Sequence, residues 1–92
     1  MTEASEPLAD EALIELALDG DEDAYGVLVR RYQRRLTAFL GQLVGDLELA
    51  RELSQEAFIR AWSALDRFDP HYRFSTWLFR IALNKARDFL EK

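Results

Sequence analysis

Apolar residues recur at spacings of three and four along most of the chain, and no stretch alternates polar and apolar positions as a half-buried strand would. This pattern predicts four helices. The first runs from about Asp10 to Leu18, with Leu13, Ile14, Ala17 and Leu18 facing inward and Gly20 just past its end, where a left-handed residue costs little. The second starts after Asp21, a residue suited to cap free amides, and keeps Tyr25, Leu28, Val29, Tyr32, Leu36, Phe39, Leu40 and Leu43 in helical register until Gly45 ends it. The third opens at Asp46 and continues to about Leu65 through Leu47, Ala50, Leu53, Ala57, Phe58, Ala61 and Trp62. A break follows from Arg67 to Arg73, because Pro70 lacks a donor and disfavours a helical residue before it. In the last helix Ser75 is the expected cap, Phe74 packs on Phe79 as a hydrophobic staple, and Trp77, Leu78, Ile81, Ala82 and Phe89 supply the buried side.

Ninety-two residues suit one core, so the expected architecture is an all-α domain, a compact bundle of about four helices. The domain covers residues 10–92, after an acidic, flexible tail over residues 1–9. The helical pattern still runs at Lys92, which reads as an excised domain. With 49% hydrophobic and 12% aromatic residues, the chain has the apolar surface to offset its conformational entropy. There is no cysteine, which removes disulfides and thiolate metal sites and fits a reducing compartment. No apolar run reaches the ~20 residues of a membrane span, and the acidic start does not resemble a signal peptide. The expectation is a cytoplasmic protein with no insertion into a membrane.

A net charge of −5 argues against nucleic acid until the charges are placed along the chain. Residues 1–24 carry nine acids and no base; residues 25–45 carry four arginines and no acid; residues 71–92 carry five bases against two acids. Such segregation fits two kinds of partner surface, although solvated charged faces are common. Catalysis is not expected. His71 is the only histidine, with no second histidine or cysteine to share a metal, and the four glycines are scattered singly, so no phosphate loop is present. Neither a metal site nor a cofactor is expected.

Two clusters remain. Between Asp66 and Arg87, bases and aromatics interleave as Arg67, Phe68, His71, Tyr72, Arg73, Phe74, Trp77, Arg80, Lys85 and Arg87. Cations bind phosphates, and aromatic faces replace the stacking an unpaired base has lost, so the mixture suits single strands. Arg80, Asn84 and Arg87 form one stripe on a helix. Spacing alone favours an ordinary reading, in which Phe74, Trp77, Leu78 and Ile81 are core and the arginines a wet face. The second cluster puts Glu52, Gln55 and Glu56 on neighbouring positions of the third helix, which are either a contact face or simply solvated.

The run Ala50-Arg51-Glu52-Leu53-Ser54-Gln55-Glu56-Ala57-Phe58-Ile59-Arg60-Ala61-Trp62 resembles the acidic-Leu-x-Gln-Glu-x-Phe helix of region 2.2 in bacterial RNA polymerase sigma factors. Arg67-Phe68, a short loop, and then Phe74-Ser75-Thr76-Trp77-Leu78-Phe79-Arg80-Ile81-Ala82-Leu83-Asn84 resemble regions 2.3 and 2.4 of the extracytoplasmic-function (group 4) class. The similarity covers roughly Asp10 to Leu90. It implies the sigma region 2 fold and an alternative sigma factor active in transcription initiation. Glu52, Leu53, Gln55 and Glu56, with Phe58 nearby, would dock on the clamp helices of the beta-prime subunit of core RNA polymerase. Asp69, His71, Tyr72 and Arg73, with Phe74, would hold a base flipped from the non-template strand of the promoter minus-ten element. Trp77, Arg80 and Asn84 would approach its still-paired upstream edge, and Arg87 extends that stripe. Melting would then be driven by trapping an extruded base, without ATP.

Two departures stand out. Glu52 occupies a position where the family usually has aspartate, and Arg80-Ile81 stand where primary sigma factors place adjacent tryptophans. No counterpart of the promoter-reading region 4 domain is found in the chain. The resemblance also implies an anti-sigma factor as a partner, and a pure protein-interaction module and a sequence-independent single-strand binder remain as rivals.

Overall fold

The computed structural model describes residues 8–91 and contains four α-helices: α1 (Asp10–Leu18), α2 (Glu22–Val44), α3 (Leu47–Ser63) and α4 (Phe74–Leu90), with a 3-10 turn at Leu65–Arg67. The all-α expectation therefore holds. The tail expected over residues 1–9 lies mostly outside the described residues; of it, Leu8 and Ala9 are seen just before α1.

Local chemistry explains the helix ends. The Asp21 carboxylate accepts from the Ala24 amide at 3.1 Å and opens α2, and Asp46 accepts from the Leu49 amide at 3.2 Å and opens α3. Each such cap contributes about 1 kcal/mol. Gly45 ends α2 at φ 73°, and its amide donates to the Gly41 carbonyl at 2.8 Å. An L side chain rarely adopts that backbone, so the glycine permits the tight reversal between α2 and α3.

The fourth helix departs from expectation. It begins one residue before Ser75, at Phe74, with Arg73 as the flanking residue and no side-chain cap. Starting there lets Phe74 bury its ring, which is only 3% exposed, against Tyr32, Phe68 and Trp77. Burying an aromatic ring stabilises by about 1.5–3 kcal/mol, more than a serine cap would. The staple to Phe79 is not formed either, because Phe79 packs on Phe39 of α2 at a ring separation of 5.2 Å.

Packing centres on α2, which lies along α1, α3 and α4. Leu28, Leu36 and Leu40 of α2 and Leu78 of α4 are fully enclosed. Ala50, Ala57, Ala61, Ala82 and Ala86 are also buried, and their small side chains let α3 and α4 approach closely. A hydrogen bond from the Tyr25 hydroxyl to the Phe58 carbonyl at 2.5 Å ties α2 to α3, and burial pushes the Tyr25 phenol above its ordinary pKa. Several periodic apolar residues stay at the surface, namely Leu18, Leu43, Leu47, Trp62 and Phe89.

α1 is locked onto α2 by polar contacts. Arg31 donates to the Asp10 carboxylate at 2.6 Å and to the Leu8 carbonyl at 2.8 Å, and the Tyr32 hydroxyl donates to the other Asp10 oxygen. Burial first, then that hydrogen bond, raises the Tyr32 pKa.

Candidate nucleic-acid interface and docking groove

The exposed face of α3 is set by helical register. Leu53 and Ala57 point inward, which leaves Glu52, Gln55 and Glu56 in solvent. Leu53 and Phe58 do not share that surface: they are 4% and 6% exposed and belong to the core. Phe58 nevertheless lines the groove beside that face, whereas Leu53 supports it from the core. They hold the face from beneath, because an apolar side chain removed from water at the α2–α3 seam has more to gain inside than at the rim.

Beside the face runs a groove between α2 and α3, with a volume of about 800 Å³, walled by Arg30, Arg34 and Arg51 and floored by Val29 and Phe58. Gln55 stands on its edge, and so does Ile59, which is 68% exposed. The groove continues past Tyr25 to Trp62, whose rings lie 4.7 Å apart. Sequence reasoning missed this groove, since it joins residues of two helices whose relative rotation no periodicity states. An exposed isoleucine inside the quoted motif was the available signal.

The loop between the 3-10 turn and α4 is organised by Asp69. Its carboxylate accepts from the His71 amide at 2.9 Å and meets the His71 ring nitrogen at 2.9 Å, while its carbonyl accepts from the Tyr72 amide at 3.0 Å. The His71 amide, and next the His71 side chain, hold the Asp69 carboxyl below its ordinary value. This turn leaves Tyr72 in solvent, 65% exposed, beside a floor of tilted and edge-on rings formed by Phe68, Phe74 and Trp77 at centroid separations of 5.1–6.0 Å.

Tyr72 and Phe68 border two clefts. One, of about 150 Å³, is lined by Arg67, Asp69, Thr76, Trp77 and Arg80; the other, of about 330 Å³, lies between α1 and the start of α4, where Arg73 and Ser75 face Asp10 and Glu11. Phe74 lines the larger cleft from the core, so it is floor and not a free stacking face. His71, Arg73, Arg80, Asn84 and Arg87 are exposed, and Trp77 is half-buried. The loop residues and Arg80 are thus brought together, while Asn84 and Arg87 continue along α4 away from the clefts. The α2 arginines face elsewhere: Arg31 is committed to Asp10, Arg35 sits 4.8 Å over the Tyr32 ring, and Arg30 and Arg34 line the α2–α3 groove.

Among the described residues no cluster of three or more histidine, cysteine or acidic side chains is arranged to hold a metal, and no helix is long and apolar enough to cross a membrane.

Comparison with known proteins gives this geometry a family. The Sigma-70 region 2 model matches residues 28–92. The chain is 42% identical over 88 residues to the ECF RNA polymerase sigma-E factor of Escherichia coli, which covers 94% of this chain and 44% of that protein. It is 40% identical over 81 residues to the RNA polymerase sigma-H factor of Pseudomonas aeruginosa, covering 88% and 42%. The chain therefore spans less than half the length of these relatives. Among solved structures, an engineered region 2 of sigma-E in complex with GTAAAA superposes with a TM-score of 0.85 at 43% identity, covering 94% of this chain and 90% of that one. CnrH in complex with the cytosolic domain of CnrY superposes at 0.74 and 39% identity, covering 86% and 51%. With the two sequence motifs, the four-helix packing and these matches in agreement, the chain belongs to the sigma-70 region 2 family, in its extracytoplasmic-function class.

Proposed function

We propose that this domain works in transcription initiation by joining two partners on separate faces: core RNA polymerase on α3, and the non-template strand of a promoter minus-ten element on the Asp69–Arg73 loop and α4. The observation that carries the reading is the placement of Tyr72. A lone aromatic ring, raised on a turn beside two clefts and flanked by Arg67, Arg73 and Arg80, is suited to hold an unstacked base while the cations take its phosphates. The complex of an engineered sigma-E region 2 with GTAAAA supports the nucleic-acid half.

On α3, Glu52, Gln55 and Glu56 offer acceptors to the beta-prime clamp helices, and the neighbouring groove supplies apolar contact through Ile59. Such docking on a bacterial polymerase places the work in the cytoplasm. The domain binds and does not catalyse: the step it drives is duplex opening, by keeping an extruded base from restacking, with unstacking a cost of a few kcal/mol.

A second partner is favoured by the same groove. Leu47 and Ile59, 54% and 68% exposed, leave apolar surface open along α2 and α3, and a helical anti-sigma factor would cover it. The complex of CnrH with the cytosolic domain of CnrY supports that reading.

The test is a crossed comparison. Gln55→Ala with Glu56→Ala is expected to abolish capture by core polymerase and leave binding to a labelled GTAAAA oligonucleotide intact, whereas Tyr72→Ala with Asn84→Ala does the reverse. Loss of both activities in both variants would contradict two separate faces.

A further inference from the structure

The larger cleft beside Tyr72 has a wall that no motif of the loop or of α4 supplies. Its far side is the first turn of α1, with Asp10 and Glu11 opposite Arg73 and Ser75, while the smaller cleft on the other side of the ring is walled by Arg67 and Arg80. The carboxylate that also lines the smaller cleft, Asp69, is turned onto the His71 amide and ring. Charge therefore differs across one tyrosine ring. The smaller cleft gathers Arg67 and Arg80, whereas the larger sets Arg73 against Glu11 and an Asp10 already paired with Arg31, so a nucleotide gripped at Tyr72 places its backbone on the Arg67–Arg80 side and its uncharged base in the larger cleft.

Once a base enters there, the two acids of α1 are not equivalent. Asp10 already accepts from Arg31 at 2.6 Å and from the Tyr32 hydroxyl, which fixes the start of α1 against the bundle. Glu11 is exposed at the cleft edge, with its acceptors open to solvent. A carboxylate accepts and does not donate. It pairs well with a base that presents an exocyclic amino group, as adenine, cytosine and guanine do, and less well with thymine, which has no amino group and whose one ring donor, N3–H, is flanked by two carbonyls.

We propose that Glu11 is a specificity-determining residue: α1 forms the outer wall of the base cleft, and its carboxylate selects an amine-bearing base over thymine at the captured position. The inference rests on the base-capture reading above and extends it to a helix outside the loop and α4.

The experiment measures binding of the 92-residue chain to labelled GTAAAA and to its single-base variants, each position changed in turn, at one fixed salt concentration. The unaltered chain is expected to disfavour thymine at one position by about ten-fold. Glu11→Gln, an amide that both donates and accepts, is expected to bring that ratio to within about two-fold by improving the thymine oligonucleotide, and to leave the preferences at other positions unchanged. Because Glu11 is at the surface, the fold is untouched, which the melting curve checks. A base profile that Glu11→Gln leaves intact, or a chain equally content with thymine at every position, overturns the role of Glu11 while the base-capture reading survives. Failure of the unaltered chain to bind any of these oligonucleotides overturns both.

Discussion

The α3 face and the Asp69–Arg73 loop carry the two proposed contacts, and they are built differently. On α3 every contact residue is held by helical backbone bonds, and register alone turns Gln55 and Glu56 outward while Leu53 and Ala57 go in. In the loop, three hydrogen bonds to Asp69 and a floor of aromatic rings do that work. A protein surface is met by a preformed wall. A nucleobase needs a projecting ring with open space on both sides, and regular secondary structure does not supply one. The loop therefore depends on its floor, whereas the α3 face depends on its helix.

Breaking the floor has the largest expected effect. Phe74→Ala removes a ring that touches Tyr32, Phe68 and Trp77, and urea denaturation is expected to show a loss of about 3–5 kcal/mol. Next is the ring above that floor. Tyr72→Ala is expected to weaken single-strand binding by about 1–3 kcal/mol, read by fluorescence anisotropy, and to shift stability by no more than about 0.5 kcal/mol. A stability loss as large as that of Phe74→Ala would show that Tyr72 is part of the core. Smaller again is the helix side of the comparison: Asp46→Ala removes the cap on the Leu49 amide and is expected to lower stability by about 1 kcal/mol in a thermal melt.

The smallest effect is a pH dependence confined to the loop. The His71 amide and ring hold Asp69 below the ordinary value of 3.8, so the turn's stabilisation is present above that value and is lost as pH falls through the lowered one. The His71 amide resonance is expected to move with a midpoint below 3.8, while amides of α3 stay still. A midpoint at or above the ordinary value would mean that the turn is not held by the ionised carboxylate.

The sequence made these regions unequally legible. Asp21, Asp46 and Gly45 announced helix ends correctly, because a cap or a left-handed residue depends on neighbours only a few positions away. Ser75 carried the same local signal and was outweighed by Phe74, whose ring gains more by entering the core than the serine gains by capping. The same reason buries Leu53, Phe58 and Phe74, which the motif resemblance groups with exposed residues. Motif resemblance marks a position as belonging to a site without saying which side of the backbone it occupies. Leu18, Leu43, Leu47, Trp62 and Phe89 kept helical spacing yet stayed exposed, since α1, α3 and α4 cover only part of the surface available. Least legible were the α2–α3 groove and the α1 wall of the base cleft, which exist only once helices distant in sequence are docked.

Amide chemical-shift mapping of the labelled chain asks whether two separable faces serve two partners. Titration with GTAAAA is expected to move resonances of the Asp69–Arg73 loop, of the first turns of α4 and of Glu11, and to leave Glu52 to Ile59 of α3 in place. A fragment carrying the polymerase clamp helices is expected to do the opposite. Oligonucleotide-induced shifts centred on Gln55 and Glu56, or one shared set of moving residues for both ligands, would contradict the account.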